Sequence, residues 1–144
     1  MILNLKAIVI FRFKLNLMKL NPTQIHNLKQ LISFYEEIPA EEWCKKSFYQ
    51  TVSEQERNEK CALSKRCVLG HLGMITSSMP FPQQAINLMD IVSSFIDFKD
   101  FKISKGYYAV IILYITQIND SPGDPKENIL NYLKQILREE NIKH

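Results

Sequence analysis

Residues 106–118 read GYYAVIILYITQI, thirteen positions without a charge, and their conformation decides the fold class. The β-branched and aromatic content favours a buried strand. The length of the run and the spacing of Tyr108, Ile111, Ile112, Ile115 and Ile118 favour a buried helix. A strand needs a partner, and the only other strand-like stretch lies near the N terminus. The segment is therefore expected to be helical.

Downstream, Asp124 can cap a helix, Pro125 suits its first turn, and Glu127 completes a capping-box pattern. Ile129, Tyr132, Leu133, Ile136 and Leu137 then form an apolar stripe, with Lys134, Arg138 and Glu139 facing outward. Upstream, MPFP at 79–82 breaks the chain, and residues 83–98 resume helical spacing through Ile86, Met89, Val92 (or Ser93) and Ile96. Phe98, Phe101 and Ile103 alternate with Lys99, Asp100 and Lys102, as in a loop or short extended piece. Residues 61–75 (CALSKRCVLGHLGMI) are mostly apolar and read as central core. Near the start, Asn21 can cap, Pro22 suits a first turn, and Ile25, Leu28, Ile32 and Tyr35 follow until Pro39 ends the helix. Residues 40–52 are expected to form a second helix, opened by Glu41 and Glu42 where the dipole favours acids. Residues 53–60 are wholly polar and read as a solvated loop. With no repeat and no linker, the expectation is one all-α domain over residues 21–144, a compact bundle of five or six helices. Residues 1–20 form an N-terminal extension or short strand before it.

The charge is unevenly placed. Of the 18 basic side chains four (Lys6, Arg12, Lys14 and Lys19) lie in the first twenty residues, which hold no acid, leaving 14 against all 15 acids. The formal +3 thus belongs to the extension, and a near-neutral domain without a basic stripe disfavours nucleic acid as a partner. The extension lacks the uninterrupted apolar centre of a secretory signal and the length of a membrane span. Ile8, Ile10, Phe11, Phe13 and Leu15 alternate imperfectly with Arg12 and Lys14, a strand pattern. Weak contact with a membrane surface and a natural start at Met18 are the alternatives. Cys44, Cys67 and Cys61 are odd in number and lack a C-x-x-C pair, so disulfides and zinc are not expected, and the reducing cytoplasm is the expected compartment. No cofactor is expected.

Three constellations could carry function. Cys67 and His71 are spaced i, i+4, which on a helix would place thiol and imidazole on one face. A thiolate paired with an imidazolium is a nucleophile, so this pair would suit a cysteine-dependent hydrolase or transferase, with Asn119 or Asp120 orienting the ring. Buried cysteine more often packs as a small hydrophobe. Trp43, the only tryptophan, stands beside Cys44 and before Lys45–Lys46, and suits either a binding anchor or the core. Asn119–Asp120 leads into Ser121–Pro122–Gly123–Asp124–Pro125, which fails the calcium-loop register and reads as a turn. Phosphate-loop, dinucleotide, zinc-protease and serine-elbow motifs do not occur.

Three of these pieces, Trp43–Cys44–Lys45, Cys67–Val68–Leu69–Gly70 and Ile118–Asn119–Asp120, precede a capped last helix in this order. Over roughly residues 25 to 137 the chain resembles a family of small bacterial and phage-associated proteins, classed as a domain of unknown function. That family carries G-W-C, C-A-L-G-A and W-N-D segments. Glu42, His71 and Ile118 depart from its pattern, and the departure at His71 weakens the catalytic pairing. The resemblance implies a compact helical domain and a helix at 106–118, and it supplies no activity, because none is established for the family. The favoured expectation is a non-enzymatic protein that binds a protein or other macromolecule, or itself, in the manner of a phage or pathogen accessory factor, using Trp43, Cys67, His71, Asn119 and Asp120. The alternatives are the cysteine enzyme and a small-ligand sensor with a pocket between helices.

Overall fold

A computed structural model describes residues 20–51, 64–96 and 107–142. Among them are four α-helices: α1 (Pro22–Glu36), α2 (Gln83–Ser93), α3 (Tyr107–Asp120) and α4 (Pro125–Ile142). A two-stranded hairpin sheet is formed by β1 (Tyr49–Thr51) and β2 (Ser64–Arg66). α1 packs on α2 and α4, and α3 packs on the same two helices, so the four close into a ring around one core.

Local chemistry explains the helix starts. Asn21 Oδ1 accepts from Gln24 N at 2.8 Å while Gln24 Oε1 accepts from Asn21 N at 3.0 Å, a reciprocal capping box ahead of α1. Pro22 fills the first turn, where its missing N–H costs nothing. Leu28, Leu31, Ile32 and Tyr35 face the core at helical spacing. Asp124 opens α4 through its Oδ1, which accepts from Lys126 N at 3.1 Å, while its carbonyl accepts from Asn128 N at 2.9 Å. Ile129, Leu130, Leu133 and Ile136 line the inner face of α4. The chain before α1 is tied to the end of α4: Glu140 is buried and its Oε1 accepts from Leu20 N at 3.0 Å.

α3 resolves the ambiguity of residues 106–118 in favour of a helix. Ile111, Tyr114, Ile115 and Ile118 are buried, whereas Tyr108 is 39% exposed and stacks edge-on with Phe81 at 5.3 Å. α2 stops at Ser93, earlier than the spacing to Phe98 suggested. Ser93 and Ser94 hydroxyls both donate to the Asp90 carbonyl, at 2.8 and 3.3 Å, and Ser94 N turns back to Ile91. Hydroxyls that compete for a backbone carbonyl end a helix in this way.

Four helices, not five or six, make up the described residues, and residues 40–52, expected as a second helix, are something else. Of these, residues 40–51 hold a 3₁₀ turn at Ala40–Glu42, after which Trp43 and residues 49–51 are extended. Trp43 bridges Arg66 in parallel, and Tyr49 pairs with Arg66 in antiparallel register from the other edge. Lys46, at φ +67°, interrupts any helix here. Residues 64–75, expected as central core, supply β2 and a 3₁₀ turn at Gly70–Leu72, closed by Gly73 at φ +100°, and bury Cys67, Val68, Leu69, Leu72 and Met74. These extended pieces lie against the C-terminal ends of α1 and α3: Tyr35 Oη donates to Val68 O at 2.8 Å, and Asn119 Oδ1 accepts from Val68 N at 3.0 Å. The expected strand at residues 8–15, a start at Met18, the loop at 53–60 and the alternation at 98–103 lie outside the described residues. No described helix is long and apolar enough to cross a membrane.

Candidate functional site

Asn119 sits at the centre of the region where the helices meet the extended strands. It is fully buried, and all of its amide is used. Oδ1 takes the Val68 N–H, and Nδ2 donates to Cys44 O at 2.9 Å and to Asp120 Oδ1 at 2.9 Å. Asp120 Oδ1 also accepts from Lys46 N at 3.0 Å, which holds the left-handed residue in place. Lys45 Nζ reaches Ser121 O at 2.8 Å, and Asn128 Nδ2 donates to the same carbonyl at 2.8 Å. One side chain therefore satisfies the backbones of two segments more than fifty residues away from it in sequence. Trp43–Cys44, Cys67–Val68 and Asn119–Asp120, distant along the chain, are brought into one cluster.

The cysteine and histidine do not form an activated pair. A single turn connects them, with His71 N donating to Cys67 O at 2.9 Å. The thiol is 3% exposed, and burial pushes its pKa up. Burial pushes the His71 imidazole down to about 4, with Arg66 adding to the effect. Both groups are neutral near pH 7, so no thiolate–imidazolium pair stands ready. The His71 ring packs on Trp43 with centroids 4.7 Å apart, and Trp43 packs in turn on Tyr35 at 5.3 Å. Trp43 is buried in this aromatic row. Its Nε1 and His71 Nε2 are buried without a hydrogen-bond partner among the described residues. Cys44 is buried as well, its Sγ donating to Ser47 O at 3.4 Å, and burial raises its pKa.

A groove of about 590 Å³ opens beside the cluster. One face of α3 forms its wall, through Ala109, Ile112, Leu113, Thr116 and Asp120 at helical spacing. Lys46, Ser47, Phe48, Cys67, Ile75 and Ser77 complete the lining, with Lys46 beside Asp120 through its N–H. Of the sequence-selected residues, Cys67 and Asp120 reach this groove. His71, Trp43 and Asn119 do not line it. Among the described residues no three His, Cys, Asp or Glu side chains gather as a metal site.

Sequence reasoning missed the rest of the groove. The signal was present in GYYAVIILYITQI, because a helix apolar on every side has a second face that must meet something besides one core. Phe48 and Lys46 carried no signal while residues 40–52 were read as a helix. No protein-family model, curated protein or solved structure matches the chain.

Proposed function

We propose that this protein binds a small organic ligand in the groove along α3. The carrying observation is the groove itself: about 590 Å³, with mostly apolar walls and a few polar groups among its lining. That is the size and make-up of small-molecule sites, which are concave, mostly apolar and few per protein. Neutral, buried Cys67 and a His71 turned towards Trp43 favour binding over catalysis. Cytosolic residence belongs to the same reading, since Cys44 and Cys67 are free thiols.

A thermal-shift screen of fragments against the wild type and Ala109→Trp tests it. Ala109 is exposed on the groove wall, so the indole fills the groove while leaving the core untouched. Ligands that raise the melting temperature of the wild type and lose that effect in the variant are expected. Hits that act equally on both proteins would place binding elsewhere and defeat the proposal.

A second reading, docking of a protein partner, is favoured by one observation. Ile75 and Met79 are 66% and 67% exposed at the groove's edge and in the loop that follows. Large apolar side chains this open mark contact surfaces more often when they cluster. In that case a partner would bury Ile75, and Ile75→Asp would abolish binding without lowering stability.

A further inference from the structure

The groove is asymmetric along its length, and the asymmetry says what kind of ligand it takes. From Ala109 to Asp120 the wall runs eleven residues, about 16 Å at 1.5 Å per residue. Towards the Ala109 end the α3 wall is hydrocarbon, through Ile112 and Leu113. At the Asp120 end the lining turns polar, with Lys46 and Ser47.

That polar end is basic. Lys46 lines it directly. Lys45 sits one residue away with its ammonium on Ser121 O, next to Asp120. Lys65 is close enough to lower the pKa of the Cys44 thiol against the effect of burial. Among the described residues Asp120 is the one acid in the lining, its Oδ1 accepting from Lys46 N–H and from the Asn119 amide. Among the described residues in or beside this end, three ammonium groups stand against that one carboxylate, an excess of positive charge.

Resting on the small-ligand reading above, we propose that the groove binds an elongated amphipathic molecule with an apolar tail and an anionic head, a carboxylate of the fatty-acid type. The tail lies along Ala109, Ile112 and Leu113 against Phe48. The head lies at Lys46, where it gains an ammonium partner and accepts from the Ser47 hydroxyl. An apolar tail removed from water supplies affinity without direction, and the charged end fixes which way the molecule enters.

Titration of the full chain with dodecanoate, dodecanol and dodecylammonium, followed by amide NMR shifts and calorimetry, tests this. Dodecanoate is expected to bind one to one, with shifts on α3 and at residues 46–48, at least about tenfold tighter than the other two, equivalent to about 1.4 kcal/mol. Lys46→Glu is expected to remove that preference while leaving dodecanol affinity unchanged. High salt is expected to weaken dodecanoate alone. Dodecanol or dodecylammonium binding as tightly, with all three blocked by Ala109→Trp, would overturn the anionic head and leave the small-ligand reading standing. Failure of all three probes to shift the groove residues would overturn both. Concentration-dependent broadening of the groove residues without any probe binding, relieved by Ala109→Trp, would assign the groove to a second copy of the chain and overturn both as well.

Discussion

Asn119 shows how much one buried polar side chain can hold together. Its amide meets Val68 N–H, Cys44 C=O and Asp120, so truncation strands two buried backbone groups at once. Asn119→Ala is expected to cost about 2–4 kcal/mol, read from urea denaturation, since each orphaned group carries its own desolvation penalty. A cost below about 0.5 kcal/mol, the usual level for a surface change, would remove it from this role. Gly70 is constrained by space: a Cβ there would lie 1.8 Å from Phe48 O, so Gly70→Ala must displace the backbone of β1's approach and is expected to lower the melting temperature sharply. His71 brings a pH dependence. Its folded pKa of about 4 lies below the unfolded value near 6.5, so the unfolded chain binds the extra proton between them. Stability is full above about pH 6.5 and is lost as pH falls towards about 4. The difference in melting temperature between the wild type and His71→Phe, followed across that window, isolates this contribution from the carboxylates. Cys67, buried and with a raised pKa, is expected to react with iodoacetamide more slowly than a free thiol at neutral pH. Trp43, Cys67, His71, Asn119 and Asp120, singled out in the sequence, lie in or beside one cluster. Their roles were not, because a side chain's partner across seventy residues leaves no mark in local spacing.

Elements divide by whether their reason is local. α1 and α4 carry their own start signals, Asn21–Pro22 and Asp124–Pro125, and their stripes repeat at the helical period, so both were readable from the chain. Replacing the α1 cap, Asn21→Ala, is expected to cost about 1 kcal/mol in denaturation experiments, with the helix end fraying in amide exchange. A result near zero would mean that Pro22 and the Leu20–Glu140 contact hold this end without the cap. Residues 40–52 failed for the opposite reason. Glu41 and Glu42 looked like a helical first turn, and they do open a turn, but Trp43 then finds Arg66, and Arg66 also pairs with Tyr49. Strand pairing is a non-local choice that short polar–apolar mixtures do not encode by period. The i, i+4 spacing of Cys67 and His71 falls on a single turn and not on a helix.

At the scale of the molecule, four helices in a ring bury one continuous core in which Tyr35, Leu69, Phe95, Ile115 and Leu133 are almost fully enclosed. Leu133→Ala, on the inner face of α4, is expected to cost about 2–5 kcal/mol as a cavity-forming substitution, against little for Lys134→Ala on the outer face. Equal effects would mean that α4 does not present the face described. The groove is a property of this same scale. It exists because α3 has a second apolar face and because an extended turn, Lys46–Phe48, and the Ile75 loop stand opposite it. The sequence by itself determined the helical class, a helix over 106–118 once no strand partner was at hand, the capped starts of α1 and α4, and the near-neutral character of residues 21–144. Those features rest on periodicity, capping chemistry and composition, which act within a few residues. Only the tertiary structure decided that Trp43 and residues 49–51 pair with residues 64–66, that Asn119 staples this region to α3, and that Cys67 borders a groove while His71 packs on Trp43. Those outcomes depend on contacts closed mostly across thirteen to seventy-five residues, where the backbone's need for buried partners outweighs local preference.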